Sequence, residues 1–131
     1  MTAPLHVLLV DDEDGIRGML QTWLESEGAH VVAAEDGDTA LALWEEADEP
    51  IQLLLTDVMM PGSMDGVTLA ETLNARVPEL KILVISAFLG GRTDVDFSGK
   101  PNWRFQAKPF TLQQIKETVE ALLGPLSEFK R

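Results

Sequence analysis

Residues 5–12 read Leu-His-Val-Leu-Leu-Val-Asp-Asp, a short and almost unbroken apolar run that ends on two acidic residues. A run of this length and composition is typical of a central parallel β-strand that helices cover on both faces. The pattern recurs at residues 51–57, where an apolar run ends on Asp57. We therefore expect a parallel sheet whose strands end in side chains that can do chemistry.

The rest of the chain alternates between strand and helix patterns. Further strands are predicted at residues 30–34, 81–85 and 103–107, and helices at residues 16–28, 36–49, 65–76 and 111–123. Pro50 is expected to stop the second helix, and Pro78 follows the third. Strands and helices that alternate with short connections predict one parallel sheet, wound right-handedly, with helices on both faces.

One segment breaks this alternation. Between Ser86 and Trp103 a fourth helix is expected from the pattern, but the stretch contains several residues that oppose a helix, namely Gly90, Gly91, Gly99 and Pro101. We predict a short, frayed or absent helix there. The segment is either an ordered loop or a mobile switch or docking element.

Composition limits the possible functions. The chain has 131 residues, enough for one domain with its own core, and contains no cysteine, which excludes disulfides, thiolate nucleophiles and cysteine-based zinc sites. Its net charge of −12 argues against direct nucleic-acid binding and favours a protein partner with a basic surface. Neither a secretory signal nor a membrane-spanning run is recognised, so a cytoplasmic protein is expected.

Five polar residues directly follow predicted strands: Asp11, Asp12, Asp57, Ser86 and Lys108. Taken singly, each has a simpler interpretation, such as a helix cap or turn for an aspartate and a solvated surface lysine. Ligands of parallel α/β sheets bind beyond the carboxyl ends of the strands, so we expect all five to share one edge. Three converging carboxylates repel, and Mg²⁺ is the cation whose preference for oxygen ligands fits them.

Several motifs together resemble the receiver domain of two-component response regulators. They are VLLVDDE at 7–13, TDVMMPG at 56–62, MDG at 64–66, SA at 86–87 and AKPF at 107–110. The resemblance covers essentially the whole chain. It implies a flavodoxin-like three-layer sandwich, with a five-stranded parallel sheet of order 2-1-3-4-5 and about five helices, the fourth short or irregular.

The resemblance also implies roles for the acidic pocket. Asp57 would be the phosphoacceptor, since a carboxylate can form an acyl phosphate. Asp12 and Asp57 would bind Mg²⁺ directly, Asp11 would bind it through water, and the backbone carbonyl of Met59 would be a further ligand. Lys108 would pair with Asp57 at rest and with a phosphoryl oxygen afterwards, and its bond to Pro109 would be cis.

Ser86 and Phe105 resemble the family's switch pair. The Ser86 hydroxyl would turn towards the phosphoryl group, and Phe105 would move inward to fill the vacated space. The chain departs from the commoner pattern, because serine replaces threonine and phenylalanine replaces tyrosine. The alternative for Phe105 is a permanently buried core aromatic.

Two large apolar residues, Met59 and Phe88, would flank the acyl phosphate. We expect them to screen it from water and so to prolong the life of the phosphorylated form.

The resulting prediction is a phosphorylatable receiver domain at residues 1–124, with a C-terminal tail at residues 125–131. The phosphoryl donor would be a phosphohistidine on a sensor histidine kinase or histidine phosphotransfer protein, and the output a downstream protein target. Such a domain switches binding and is not a turnover enzyme. One alternative is a receiver module of a hybrid kinase or phosphorelay. Another is a Mg²⁺-dependent aspartyl-phosphate phosphohydrolase. Such a hydrolase would need an acid/base residue two positions after Asp57, and this chain lacks one there. No output domain is expected after residue 123.

Overall fold

A computed structural model describes residues 3–87 and 99–129. Its centre is a parallel sheet of five strands: β1 (His6–Val10), β2 (His30–Ala34), β3 (Leu53–Asp57), β4 (Lys81–Ser86) and β5 (Trp103–Ala107). The strand order is β2-β1-β3-β4-β5, and every neighbouring pair is parallel. The predicted order 2-1-3-4-5 is therefore confirmed, and β3 occupies the middle of the sheet.

The described residues contain four α-helices: α1 (Asp14–Ser26), α2 (Gly37–Glu46), α3 (Gly66–Arg76) and α4 (Leu112–Leu123). About five helices were predicted. The remaining, irregular one falls largely on residues 88–98, which lie outside the described residues. None of the helices in the described ranges is long and apolar enough to cross a membrane.

Alternation along the strands divides the core into two layers. Along each strand, alternate side chains point to opposite faces of the sheet. Those on one face pack against α2 and α3, and those on the other face pack against α1 and α4. The first layer includes Leu8, Val10, Leu54, Ile82 and Val84 with Ala40, Leu69 and Leu73. The second includes Val7, Leu9, Leu53, Leu55 and Leu83 with Leu20, Leu24, Ile115 and Val119. The three-layer sandwich follows from these continuous apolar runs, since both faces of β1, β3 and β4 are buried.

Three helices begin at side-chain caps. The Asp36 carboxylate accepts from the Thr39 amide at 2.7 Å, and the Asp65 carboxylate accepts from the Thr68 amide at 2.8 Å. Thr111 forms a reciprocal capping box with Gln114 at the start of α4. Each cap satisfies an amide that lacks a partner in the first helical turn.

The end of α2 differs from its prediction. The helix stops at Glu46 instead of continuing to the residue before Pro50, and Ala47 is already extended. Leu43 and Trp44 are its last apolar contacts with the core. The following acidic residues have no apolar surface to bury, and the residue preceding a proline avoids helical geometry.

Residues after α4 pack back on the domain. Leu126–Glu128 form a short 3₁₀ turn, Leu126 is buried, and Phe129 packs against the layer formed by α1 and α4. The Leu126 amide donates to the Glu120 carboxylate at 2.8 Å. The predicted boundary at residue 124 stays a prediction, but the residues that follow it contribute to this layer.

Gly66 allows a close approach between α3 and the end of β3. A Cβ atom there would lie 1.7 Å from the Asp57 carbonyl oxygen and 2.9 Å from Thr56 Oγ1. The Gly66 amide donates to the Val58 carbonyl at 2.9 Å, which fixes the start of α3 beneath the turn that follows Asp57. Only a residue without a side chain fits at this point, because the nearest obstructing atoms belong to the Asp57 backbone.

We therefore expect Gly66→Ala to lower the free energy of unfolding by about 3 kcal/mol, the upper range for overpacking. Gly18→Ala is the matched control, since a Cβ at Gly18 meets nothing within 4 Å. In the helix interior that change should stabilise the chain by about 0.5–1 kcal/mol. Urea unfolding measures the change in the free energy of unfolding for each variant. Equal changes in the two variants would contradict the close approach of Gly66 to the Asp57 backbone.

Candidate functional site

The carboxyl ends of β1, β3, β4 and β5 surround one cleft of about 390 Å³. It is lined by Asp12, Glu13, Asp57, Met59, Ser86, Ala87 and Lys108. Asp11 lies next to it and ion-pairs with Lys108. The structure thus brings together all five polar residues that sequence reasoning placed at this edge, although they come from four separate strands.

Asp57 occupies the centre of the cleft because it ends the central strand. The residue is 4% exposed, and its two carboxylate oxygens have different partners. Oδ1 accepts from the Val58 amide at 2.7 Å, and Oδ2 accepts from Lys108 Nζ at 3.0 Å. The Thr56 hydroxyl donates to the Asp57 carbonyl at 2.8 Å. Both the backbone and the side chain of Asp57 are therefore held in place.

Asp11 is fully buried at the end of β1. Its Oδ1 accepts from the Glu13 amide at 2.8 Å, and its carbonyl accepts from Arg17 at 2.8 Å. Its Oδ2 accepts no hydrogen bond from the described residues and lies 3.5 Å from Lys108 Nζ. Burial raises the pKa of Asp11, and the nearby charges of Asp57 and Glu13 add to that effect. The expectation that a carboxyl here resists ionisation thus applies to Asp11, with burial rather than charge repulsion as the main cause.

Asp12 completes a group of three carboxylates. It is exposed, whereas Asp11 and Asp57 are buried, and one oxygen from each lies within 4.8 Å of the others. In the part of the chain that the structure describes, this is the only such group of potential metal ligands. An all-oxygen donor set with an unbonded buried oxygen fits Mg²⁺, which binds few carboxylates and keeps several waters.

Lys108 is the cation of the cleft. Its Nζ lies 3.0 Å from Asp57 Oδ2, 2.8 Å from Glu13 Oε1 and 3.5 Å from Asp11 Oδ2, and its side chain is 13% exposed. Burial alone would lower the pKa of Lys108, but hydrogen bonds to Glu13 and Asp57, with the charge of Asp11, raise it above its ordinary value. The lysine is therefore protonated throughout the physiological range.

The backbone around Lys108 joins β5 to β4. The Lys108 amide donates to the Ser86 carbonyl at 3.0 Å. The Lys108–Pro109 bond is cis, as the resemblance implied.

Sequence reasoning missed the contact between Glu13 and Lys108. Glu13 follows the acidic pair directly and forms the shortest of the three lysine contacts, although its side chain is 56% exposed. The position of Glu13 just after the end of β1 was the one sequence feature that placed it near the cleft. The pattern of apolar residues contains no information on which way an exposed glutamate turns.

The predicted switch residues lie on neighbouring strands. Ser86 is buried at 2% exposure, and Phe105 is 37% exposed on β5, so the alternative of a permanently buried Phe105 is wrong. Met59 lines the cleft and is 51% exposed. The position of its carbonyl as a metal ligand stays a prediction. Phe88 lies outside the described residues.

Comparison with known proteins identifies the family. The profile of the response regulator receiver domain matches residues 7–120. The response regulator receiver protein CpdR of Brucella abortus is 34% identical over 118 residues, which cover 90% of this chain and 96% of CpdR. The sensor kinase CckA of the same organism is 34% identical over 117 residues, 89% of this chain but 12% of CckA.

A solved structure shows the same similarity in three dimensions. The response regulator TrrA of Thermotoga maritima, in complex with Mg²⁺ and BeF, superposes with a TM-score of 0.75 at 29% identity, covering 90% of this chain and 98% of TrrA. The strand order, the acidic cleft and these matches agree, and the chain belongs to the receiver domain family of response regulators.

Proposed function

We propose that Asp57 accepts a phosphoryl group from a phosphohistidine, and that the resulting acyl phosphate changes which protein the domain binds. One observation supports this most strongly. Asp57 is a nearly buried carboxylate at the end of the central strand, and a lysine and two further carboxylates meet around it. An aspartate with a purely structural role would need a hydrogen bond to a backbone amide or an ion pair with a lysine. It would not need two further carboxylates beside it.

The chemistry required of the chain is nucleophilic attack by a carboxylate. An Asp57 oxygen forms the new bond to phosphorus, the bond between phosphorus and the donor's imidazole nitrogen breaks, and that nitrogen keeps the electron pair. The Val58 amide holds Oδ1, so the nucleophile is fixed before the donor arrives. Such transfer depends on positioning and on neutralising charge at the phosphoryl oxygens.

Lys108 provides the permanent positive charge. At rest it is shared among three carboxylates, which keeps the ammonium beside Asp57. Once a phosphoryl group is attached, its oxygens offer the same ammonium a more highly charged partner. Lys108 is then expected to remain in place and to exchange carboxylate contacts for a phosphoryl oxygen.

A Mg²⁺ ion would be held by Asp12 and Asp57 directly, by Asp11 through water and by the Met59 carbonyl. When bound, it neutralises charge on the phosphoryl oxygens. The unbonded Asp11 Oδ2 and the all-oxygen donor set support this assignment. The related TrrA structure contains Mg²⁺ and BeF, which is consistent with the same requirement here.

The signal would leave the cleft through Ser86 and Phe105. Ser86 lines the cleft, and Phe105 lies opposite Val84 on the neighbouring strand, with its ring partly in solvent. A new phosphoryl group brings about −1.5 to −2 charge, enough to attract the hydroxyl and to change the packing next to it. An inward movement of Phe105 would then alter the surface of β5 that a downstream protein meets.

The donor protein is proposed to dock beside the pocket, along α1. A groove of about 670 Å³ runs there between α1 and Leu112, and Met19 on its wall is 42% exposed. The groove begins at Asp14, the residue after Glu13 of the cleft, so a partner seated in it would reach Asp57. A sensor histidine kinase or a histidine phosphotransfer protein is the expected occupant.

Domain context leaves two arrangements. The chain spans nearly all of CpdR but only 12% of CckA, so both a separate regulator and a module of a larger kinase have relatives. In either case we propose that residues 1–124 form the receiver, that it acts in the cytoplasm without contacting nucleic acid, and that it is a switch rather than a turnover enzyme.

Incubation with acetyl phosphate and Mg²⁺ should add one phosphoryl group per chain, measured by intact mass. Asp57→Asn should abolish that addition, because an amide is not a nucleophile for phosphorus. Asp48→Asn, an exposed change beside the opposite end of the sheet, is the matched control and should leave it intact. An unchanged mass increase in Asp57→Asn would disprove the assignment. Release of many phosphates per chain from a small phosphomonoester, in place of acetyl phosphate, would favour the hydrolase.

Asp11→Asn should stabilise the chain in the absence of divalent ions. Burial raises the pKa of Asp11, so its ionised form is disfavoured in the folded chain at neutral pH, and removing the charge relieves that penalty. The amide oxygen can still accept from the Glu13 amide. We expect the Tm at neutral pH to rise by about 3–6 °C, and the further rise on adding Mg²⁺ to shrink. A lower Tm without Mg²⁺ would show that the attraction to Lys108 outweighs burial.

Met59→Asn tests the screening of the acyl phosphate. Replacing the half-exposed apolar side chain at the mouth of the cleft with an amide should admit water and speed loss of the phosphoryl group several-fold. Decay of the phosphorylated mass after removal of acetyl phosphate measures the rate. Met19→Asn, on the separate α1 groove, serves as the control. Equal decay rates in wild type and Met59→Asn would refute the screening role.

A further inference from the structure

Both histidines of the chain lie side by side at the end of the sheet opposite the acidic cleft. The sequence contains two histidines, and they pair in register as His6 on β1 and His30 on β2. The His30 amide donates to the Leu5 carbonyl at 2.7 Å, which fixes this register. Residues paired on neighbouring parallel strands extend their side chains to the same face. The receiver function proposed above uses neither histidine.

The two imidazoles are in direct contact. Their ring centres are 4.9 Å apart, with an angle of 82° between the ring planes. Within residues 3–87 and 99–129, no hydrogen bond or ion pair is recorded for any ring nitrogen of this pair. Two imidazoles bound to one tetrahedral ion, through nitrogens about 2.1 Å from it, have ring centres about 5 Å apart. The separation of the two ring centres is therefore of the size expected for two imidazoles that share one ion.

The surroundings favour a cation. The histidines line a cleft of about 240 Å³ together with Asp48 and Glu49 of the connection after α2, and its lining includes no lysine or arginine. Ala47, at the carboxyl end of α2, also borders the cleft, and the carboxyl end of a helix carries partial negative charge. His30, Asp48 and Glu49 are exposed, so an ion can enter from solvent.

We propose that His6 and His30 form a binding site for one divalent transition-metal ion of intermediate softness, such as Zn²⁺ or Cu²⁺. Imidazole nitrogen suits these ions, whereas the all-carboxylate cleft at the other end of the sheet suits Mg²⁺. Two ligands come from the histidines. Water molecules complete the coordination, and the exposed carboxylates of Asp48 and Glu49 contribute negative charge at the rim of the cleft.

Zn²⁺ titration of the full chain in excess Mg²⁺ tests the site. The excess Mg²⁺ occupies the carboxylate cleft. Long-range ¹H–¹⁵N NMR spectra detect the ring nitrogens of the two imidazoles, and the spectra of the single variants assign each signal to His6 or His30. We expect both to shift together and to saturate at one Zn²⁺ per chain. His30→Gln and His6→Gln should each weaken Zn²⁺ affinity about tenfold or more. Zn²⁺ binding that leaves both imidazole spectra unchanged, or equal affinity in His30→Gln, would overturn the proposal.

Two controls separate this site from the acidic cleft and from misfolding. Asp57→Asn should leave the Zn²⁺ affinity unchanged, and a loss there would assign the ion to the cleft instead. Cu²⁺ electron paramagnetic resonance should show coupling to two imidazole nitrogens in the wild type and to one in each single variant. Thermal unfolding without metal confirms that the variants fold; His30 is exposed, so its replacement should leave the Tm nearly unchanged.

Discussion

The cleft depends on one ammonium group surrounded by carboxylates. Lys108 Nζ is within 3.5 Å of oxygens from Asp11, Glu13 and Asp57, and two of these carboxylates are almost completely buried. In a chain of net charge −12, buried carboxylates this close together would be strongly destabilising without a cation. The lysine comes from the last strand and the carboxylates from the first and third, so one ion pair network closes the edge of the sheet across three strands.

The same network explains why the site is ready for a divalent ion. The lysine compensates part of the negative charge, but Asp11 Oδ2 accepts no hydrogen bond from the residues that the structure describes, and burial raises the pKa of Asp11. A second cation would satisfy the remaining charge. Phosphorylation would then add negative charge beside Lys108 and the divalent ion. At rest the cleft therefore holds uncompensated negative charge, which a divalent ion would offset before a phosphoryl group adds more.

The sequence predicted the features that follow from periodicity and from strand ends. Continuous apolar runs identified β1, β3 and β4, and their ends placed Asp11, Asp57 and Ser86 at one edge. The strand order came from the resemblance, because periodicity does not distinguish one winding from another. The early end of α2 was missed, since it depends on where apolar contacts stop rather than on Pro50. The Glu13 contact and the exposure of Phe105 were not predictable, because side-chain direction at the surface depends on tertiary neighbours.

Both proposed metal sites lie at the ends of one interior strand, β1. Asp11 follows the strand at one end and His6 begins it at the other, about 17 Å apart at 3.3 Å per residue. That distance exceeds the screening length of about 8 Å that physiological salt gives solvent-exposed charges, so an ion beside the exposed His30 is largely screened from the cleft. The strand between them is buried and paired with a neighbouring strand on each side. Binding at the histidine pair should therefore stabilise the fold without changing Mg²⁺ affinity, as expected for distant sites without shared partners.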